Sequence, residues 1–300
     1  MTRFLTQGIH LRRAGQFLYD FARDRTAAVG LVMLIAVVLA AVFAPLIAPQ
    51  DPYDLMTLDI MDGRLPPGSA SFSGQVYLLG TDTQGRDMLS AILYGLRISL
   101  VVGLGAAGLA FVIGTLAGLL AAYIGGRFET LIMRLVDLQL SFPTILAAML
   151  ILAFLGKGVT NVVLAIVIVE WAVYARTARG SALSVMRREY VEAARSLMIP
   201  PRNIILHHLL PNCMSPLIVL LTMQAARAIA LEATLSFLGL GVPITEPSLG
   251  LLIANGFEFM LSGAYWISIY PGIALLITIY SINLVGDRLR RVLDPKATLR

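Results

Sequence analysis

The sequence predicts an all-α, polytopic membrane protein with six transmembrane helices. Three observations carry this. The 300 residues are 58% hydrophobic and 14% charged, with a mean hydropathy of +0.81; soluble domains run at about 45–50% and about 25%. Six apolar stretches have the length that a hydrocarbon core demands. The cations fall mostly in alternate connecting segments, which is how loops orient membrane helices. The composition excludes an intrinsically disordered chain, whose apolar surface would stay wet, and argues against a soluble two-domain enzyme. The net charge of +5, from 23 Lys and Arg against 18 Asp and Glu, is read as orienting charge rather than as a nucleic-acid footprint, so no nucleic-acid partner is expected.

Residues 1–26 are expected in the cytoplasm. Between Leu11 and Arg25, Phe17, Leu18 and Phe21 stand among Arg12, Arg13, Arg23 and Arg25, a pattern for an amphipathic helix on the membrane surface or for a tail that only supplies charge. The first span is 27–49. Its apolar run, 27–48, would be about 33 Å long as a helix, too long for a signal-peptide core, and Pro45 and Pro49 mark its far end. Residues 50–96 form a long outer, periplasmic loop carrying Asp51, Asp54, Asp59, Asp62, Asp82 and Asp87 and broken by Pro66, Pro67 and Gly68; its fold is not legible.

The core, 97–287, holds five further apolar stretches near 98–123, 133–156, 161–178, 213–235 and 266–286. In the second span, Gly114 and Gly118 make a small-xxx-small pair suited to close helix packing. In the third, Arg134 and Asp137 are three apart and able to pair along one face, and Pro143 lies inside. A cytoplasmic tail, 288–300, follows. With the N-terminus inside, eighteen of the 23 cations fall on the inner side and four on the outer, with Arg227 inside a span. Both termini are therefore expected in the cytoplasm.

The inner segment near 179–211 is too long for a turn. Leu183, Met186, Tyr190, Ala194 and Leu197 recur at helical steps, with Arg187, Arg188, Glu189, Glu192 and Arg195 around them. Pro200-Pro201 is expected to stop this helix and Pro201 to open a second, Arg202 to Leu210, ending at Pro211. An amphipathic helical hairpin on the inner face suits docking of a soluble partner.

Single residues narrow the chemistry further. Cys213 is the only cysteine, so no intrachain disulfide forms, and His10, His207 and His208 lack zinc-ligand spacing. No metal site is expected. Neither Lys157 nor Lys296 stands in a phosphate-loop pattern, so ATP coupling would come from another chain. Glu170, Arg227 and Glu232 lie within spans, where charges are costly and default to pathway or gate candidates. Glu170 and Arg227 are a possible cross-helix pair. Asp287 is expected to bridge to Arg290 or Arg291. Glu232 fits a helix-end hydrogen bond better than substrate contact.

A resemblance then becomes specific. Tyr190-Val-Glu-Ala-Ala-Arg195 with His208-Leu-Leu-Pro-Asn212 resembles the EAA loop of ABC-importer membrane subunits. Met198 stands at the family's glycine position, and Pro200-Pro201 is expected to set the turn in its place. Leu79-Gly-Thr-Asp-Thr-Gln-Gly-Arg-Asp87, Leu140-Ser-Phe-Pro143, Glu232-Ala-Thr-Leu-Ser-Phe-Leu-Gly-Leu-Gly241 and Asn283-Leu-Val-Gly-Asp287 with Leu293-Asp-Pro295 extend the resemblance, in family order, to the dipeptide/oligopeptide/nickel permeases. The chain is most similar to the shorter, six-helix permease of the pair. Leu249 replaces the usual tryptophan before Gly250.

The resemblance implies a type I ABC importer permease fold in the bacterial inner membrane. It implies a heterodimer with a homologous permease, two cytoplasmic ATPases that carry ATP and Mg, and a periplasmic solute-binding protein. It also implies that Tyr190, Glu192, Ala193, Ala194, Arg195, Met198, Pro201, His208, Leu210 and Pro211 couple to an ATPase, with Glu192 facing basic groups. No cofactor is expected on this chain. A self-contained secondary transporter is the alternative, but no internal repeat is visible. An intramembrane enzyme would need a catalytic constellation, and none is visible. Peptides, nickel chelates, glutathione-like compounds and opines all remain open as substrates.

Overall fold

The computed structural model describes residues 24–293 apart from 55–57, 72–73, 75 and 244. The expected amphipathic stretch 11–25 lies almost wholly outside these residues, as do Asp294, Pro295, Lys296 and Arg300. Five continuous helices are long and apolar enough to cross a membrane: α1 (Arg25–Val42), α3 (Met88–Ile124), α6 (Val159–Met186), α8 (Pro201–Phe237) and α10 (Trp266–Leu293). Four shorter helices accompany them: α2 (Ala44–Ile47), α4 (Gly126–Ser141), α5 (Thr144–Leu155) and α7 (Glu189–Ser196). A ninth-in-order helix, α9 (Leu249–Phe257), precedes α10.

The expected third span is not one straight helix. α4 and α5 meet at an angle of 97°. Pro143 disfavours helical geometry at the residue before it, and Phe142 is extended at φ −93°, ψ 142°. The bend redirects the charges of α4. Asp137 pairs with Arg176 of α6 rather than with Arg134, and Glu129 pairs with Arg179 at 2.5 Å. A partner on a packed neighbouring helix displaces the local pair, which is worth only about 0.2–0.5 kcal/mol.

Helix α3 is the central post, packed along α6 and α8. It starts ten residues before the expected span, because the Asp87 carboxylate caps it, accepting from the Ser90 N–H at 2.8 Å and from Ser90 Oγ at 2.6 Å. The glycine pair works as its spacing implies. A Cβ on Gly114 would strike the Trp171 carbonyl oxygen, and one on Gly118 the Ala175 carbonyl oxygen, so the backbones of α3 and α6 touch there. α1 lies against α10. Asp24 caps α1 and reaches Arg288 at 3.7 Å and Arg291 at 3.3 Å. This replaces the expected bridge from Asp287: the guanidinium of Arg291 bonds only the Asp287 backbone oxygen along its own helix, at 3.4 Å. The start of α1 and the end of α10 therefore share one side of the bundle.

The loop between α2 and α3 folds into a small cap. Strands β1 (Ser69–Ala70) and β2 (Val76–Tyr77) pair antiparallel, Ser69 opposite Tyr77. The buried Asp62 carboxylate accepts from Ser71 Oγ at 2.5 Å and from the Tyr77 hydroxyl at 3.0 Å. Burial, and then the bond to Asp62, push the Tyr77 phenol up to about 12. Burial likewise raises the Asp82 carboxyl, against the Arg86 and Gln84 N–H groups that donate to it. Trp266 Nε1 donates to the Thr81 carbonyl at 3.1 Å and fastens the cap to α10. Half of the loop's acidic charge is thus internal rather than a solvated face: Asp62, Asp82 and Asp87 are each 1% exposed.

Candidate functional site

Two places hold the residues singled out by sequence. The first is the hairpin between α6 and α8. α6 runs on to Met186, so only 187–200 separates it from α8 and the expected segment 179–211 contracts. Arg188 is extended, and α7 follows with Glu189 and Glu192 in its first turn, where the helix dipole favours acids. Val191 and Ala194 are 0% and 2% exposed and pack with Ile204, Leu209, Cys213 and Leu119. They seat α7 on the C-terminal ends of α3 and α6 and the N-terminal end of α8. Glu192, Ala193 and Arg195 remain on its open face.

The expected apolar stripe is corrected on this point. Tyr190 is 41% exposed and Leu197 75%, because the break at Arg187-Arg188 resets the helical phase between Met186 and Tyr190. Two contacts hold the hairpin's geometry. The Tyr190 and His208 rings lie 6.2 Å apart, and the Arg195 guanidinium sits 5.4 Å over the Tyr123 ring.

The turn is also corrected. Met198 itself takes a left-handed conformation, φ +56°, where glycine is at ease and other residues are strained by about 1 kcal/mol or more. Pro200 and Pro201 start α8 instead of replacing that turn. The Met198 side chain is 91% exposed, so no packing compensates. Met198→Asn, tolerant of this conformation, is expected to slow protease nicking between α7 and α8 in the solubilised protein. Met198→Val, β-branched, is expected to speed it several-fold. Equal rates for all three chains would mean that the turn is not strained.

The second helix does not end at Pro211. Pro211 and Pro216 lie inside α8, and Ile204–Leu209 is a π segment. Pro211 has no N–H to give, and wider i→i+5 bonding absorbs the mismatch. Asn212 Nδ2 donates to the His208 carbonyl at 2.7 Å, which fixes Leu210 and Pro211 beside the hairpin.

The second place is a cavity of about 350 Å³ beside the α4–α5 bend. Pro143 and Thr144 form one wall, Glu170 of α6 a second, and Arg227, Ala230 and Thr234 of α8 a third. Glu170 is 4% exposed, and its Oε2 has no hydrogen-bond partner among the described residues. Arg227 Nη1 donates to Gln224 Oε1 at 3.3 Å. Glu170 and Arg227 share the walls of this cavity and of the smaller one behind it, but they do not close the expected ion pair.

Glu232 is elsewhere. It is fully buried, accepting from Ser99 Oγ and from Ser236 Oγ, each at 2.8 Å. It knots α3 to the C-terminal end of α8, as a helix-end hydrogen bond would. Gln224 and the start of α5 are cavity features that sequence reasoning missed; Pro143 inside an apolar run was the available signal for the latter.

Residues 110–299 match the family described as binding-protein-dependent transport system inner membrane component. The chain belongs to this family of permeases. Residues 13–67 also match the N-terminal TM domain of oligopeptide transport permease C. The permease is 40% identical to the di/tripeptide transport system permease protein DppC of Pseudomonas aeruginosa, over 94% of this chain and 91% of the relative. It is 38% identical to the probable D,D-dipeptide transport system permease protein DdpC of Escherichia coli, over 89% and 86%. The methionine ABC transporter MetNI, in an inward-facing conformation, shares the fold: TM-score 0.56 at 20% identity, over 69% of this chain and 98% of that one. The permease is thus a multi-pass inner-membrane subunit of an ABC importer. It is not an enzyme, and ATP hydrolysis belongs to separate ATPase subunits.

Proposed function

We propose that this permease imports short peptides as one half of a heterodimer with a homologous permease. Two cytoplasmic ATPases carry ATP and Mg below it, and a periplasmic solute-binding protein delivers the peptide from above. The observation that carries this reading is the near full-length similarity to the di/tripeptide permease. Both termini lie in the cytoplasm. The arginine distribution supports this, as does the Asp24 bridge that puts the start of α1 and the end of α10 on one side.

The hairpin supplies the coupling. α7 is wedged into the bundle by Val191 and Ala194, so a push on its open face moves the inner ends of α3, α6 and α8 together. Glu192 on that face meets basic groups of the ATPase groove. The broken α4–α5 helix, Glu170 and Arg227 line the route, in keeping with interrupted helices lining polar cavities at membrane depth.

The test is uptake. The chain is reconstituted in proteoliposomes with its partner permease, ATPases and binding protein. Labelled dialanine is expected to accumulate only with ATP and binding protein. Accumulation without the ATPases, or no accumulation at all, would overturn the reading.

A further inference from the structure

The cavity at the α4–α5 bend carries two opposite charges that do not satisfy each other. Glu170 is almost wholly buried and keeps Oε2 without a partner. Arg227, on another wall of the same cavity, donates to Gln224 Oε1 and forms no salt bridge with Glu170 among the described residues. Charges at this depth are costly unless something pairs with them. The same cavity meets the first turn of α5 at Thr144 and Ile145. No side chain caps that helix, so its N–H groups and positive dipole end add to the Arg227 side.

We propose that the cavity is a transit subsite for the two free ends of a short peptide. Glu170 accepts hydrogen bonds from the α-ammonium. Arg227, with the N–H groups at the start of α5, holds the α-carboxylate. This rests on the peptide-import reading above.

The geometry matches that ligand in three respects. An extended dipeptide, with its terminal charges about 7 Å apart, offers one charge to each of two cavity residues that form no salt bridge with one another. The volume of about 350 Å³ falls within the range of about 300–1,000 Å³ of small-ligand sites. The rest of the lining, Ile145, Ala230 and Leu231, is apolar except for Thr234, whose hydroxyl donates to the Ala230 carbonyl of its own helix at 2.7 Å. Recognition is therefore confined to the termini, and varied side chains pass.

The experiment measures peptide binding to the assembled permease–ATPase complex in lipid nanodiscs without binding protein, so the selectivity of that protein does not enter. The probes are dialanine, N-acetyl-dialanine and dialanine amide at up to millimolar concentration. The native complex is expected to favour dialanine over both blocked forms. E170Q should weaken dialanine about tenfold, the value of one charge-assisted hydrogen bond, and erase the preference over the N-acetyl form while keeping that over the amide. R227Q should do the reverse. E170D, which keeps the charge, should restore part of the N-terminal preference and serves where the E170Q chain itself does not fold.

Equal binding of the three probes, or no binding, by the native complex overturns the subsite. So does release of the homologous permease from either variant complex, which would assign the charges to the subunit interface. Uptake by the complete importer separates the two readings. If dialanine is imported but the variants show no terminus-specific pattern, only the subsite fails; if dialanine is not imported, the peptide-import reading fails first.

Discussion

Replacing Glu192 with Lys is expected to strip the ATPases from the complex and to stop peptide-driven ATP hydrolysis. The residue stands in the first turn of α7, on the face turned away from the bundle. Its removal therefore costs the permease itself almost nothing: surface changes of this kind stay within about 0.5 kcal/mol. Opposite a basic groove the account differs. Losing one member of a desolvated charge pair costs about 2 kcal/mol or more, roughly thirtyfold in affinity, and reversing its sign adds repulsion. Glu192→Gln should give the milder loss and Glu192→Lys the severe one, with membrane abundance of the permease unchanged in both. Co-purification of the ATPases and transport-coupled hydrolysis are the readouts. If both are unchanged in the Lys variant, Glu192 does not dock.

Gly114→Val is expected to prevent the native bundle from forming. The new side chain would meet the Trp171 carbonyl oxygen and the Tyr174 Cβ. Backbone cannot step aside as a flexible side chain can, so the cost falls at the top of the overpacking range, about 3 kcal/mol. Gly118→Val meets the Ala175 carbonyl oxygen in the same way, and the double variant should leave little protein in the membrane. Gly105→Val and Gly108→Val are the controls: on the same helix, a Cβ at either position meets nothing within 4 Å. Membrane abundance and melting temperature should separate the two pairs clearly. If all four variants behave alike, helix propensity rather than close packing governs α3.

The parts legible in sequence are those encoded locally. Apolar length located the helices, because a bilayer must be crossed by about 20 apolar residues whatever packs around them. Gly114 and Gly118 announced a close contact because only glycine permits it. Pro45 and Pro49 marked the end of the first span, whereas Pro143 was seen inside the third and its bend was not read from it. The EAA-like stretch drew attention to α7. What it did not reveal was the phase of that helix: Arg187-Arg188 interrupts the run, and Val191 and Ala194 face inward in place of Tyr190 and Leu197.

Charges were the least legible feature. Spacing along one helix suggested Arg134 with Asp137 and Asp287 with Arg290 or Arg291, yet the bonds formed are Asp137 with Arg176 and Asp24 with Arg288 and Arg291. A carboxylate chooses among all cations that the fold brings within reach, and the intrahelical option is worth too little to win. The cap was opaque for a similar reason. Its buried Asp62 carboxylate accepts from Ser71 and Tyr77, partners that arrive only once the loop has closed.

The sequence alone therefore determined that the chain crosses a membrane, where most of its helices lie and which short segment resembles a coupling element. Those properties follow from residue type and spacing. Only the tertiary structure decided that α4 and α5 bend by 97°, that Met198 bears the turn, that Glu232 is tied into a knot with Ser99 and Ser236, and that Glu170 and Arg227 share a cavity without pairing. Each of these depends on which distant residue arrives at contact distance, and that is set by how the helices pack and not by the order of residues along any one of them.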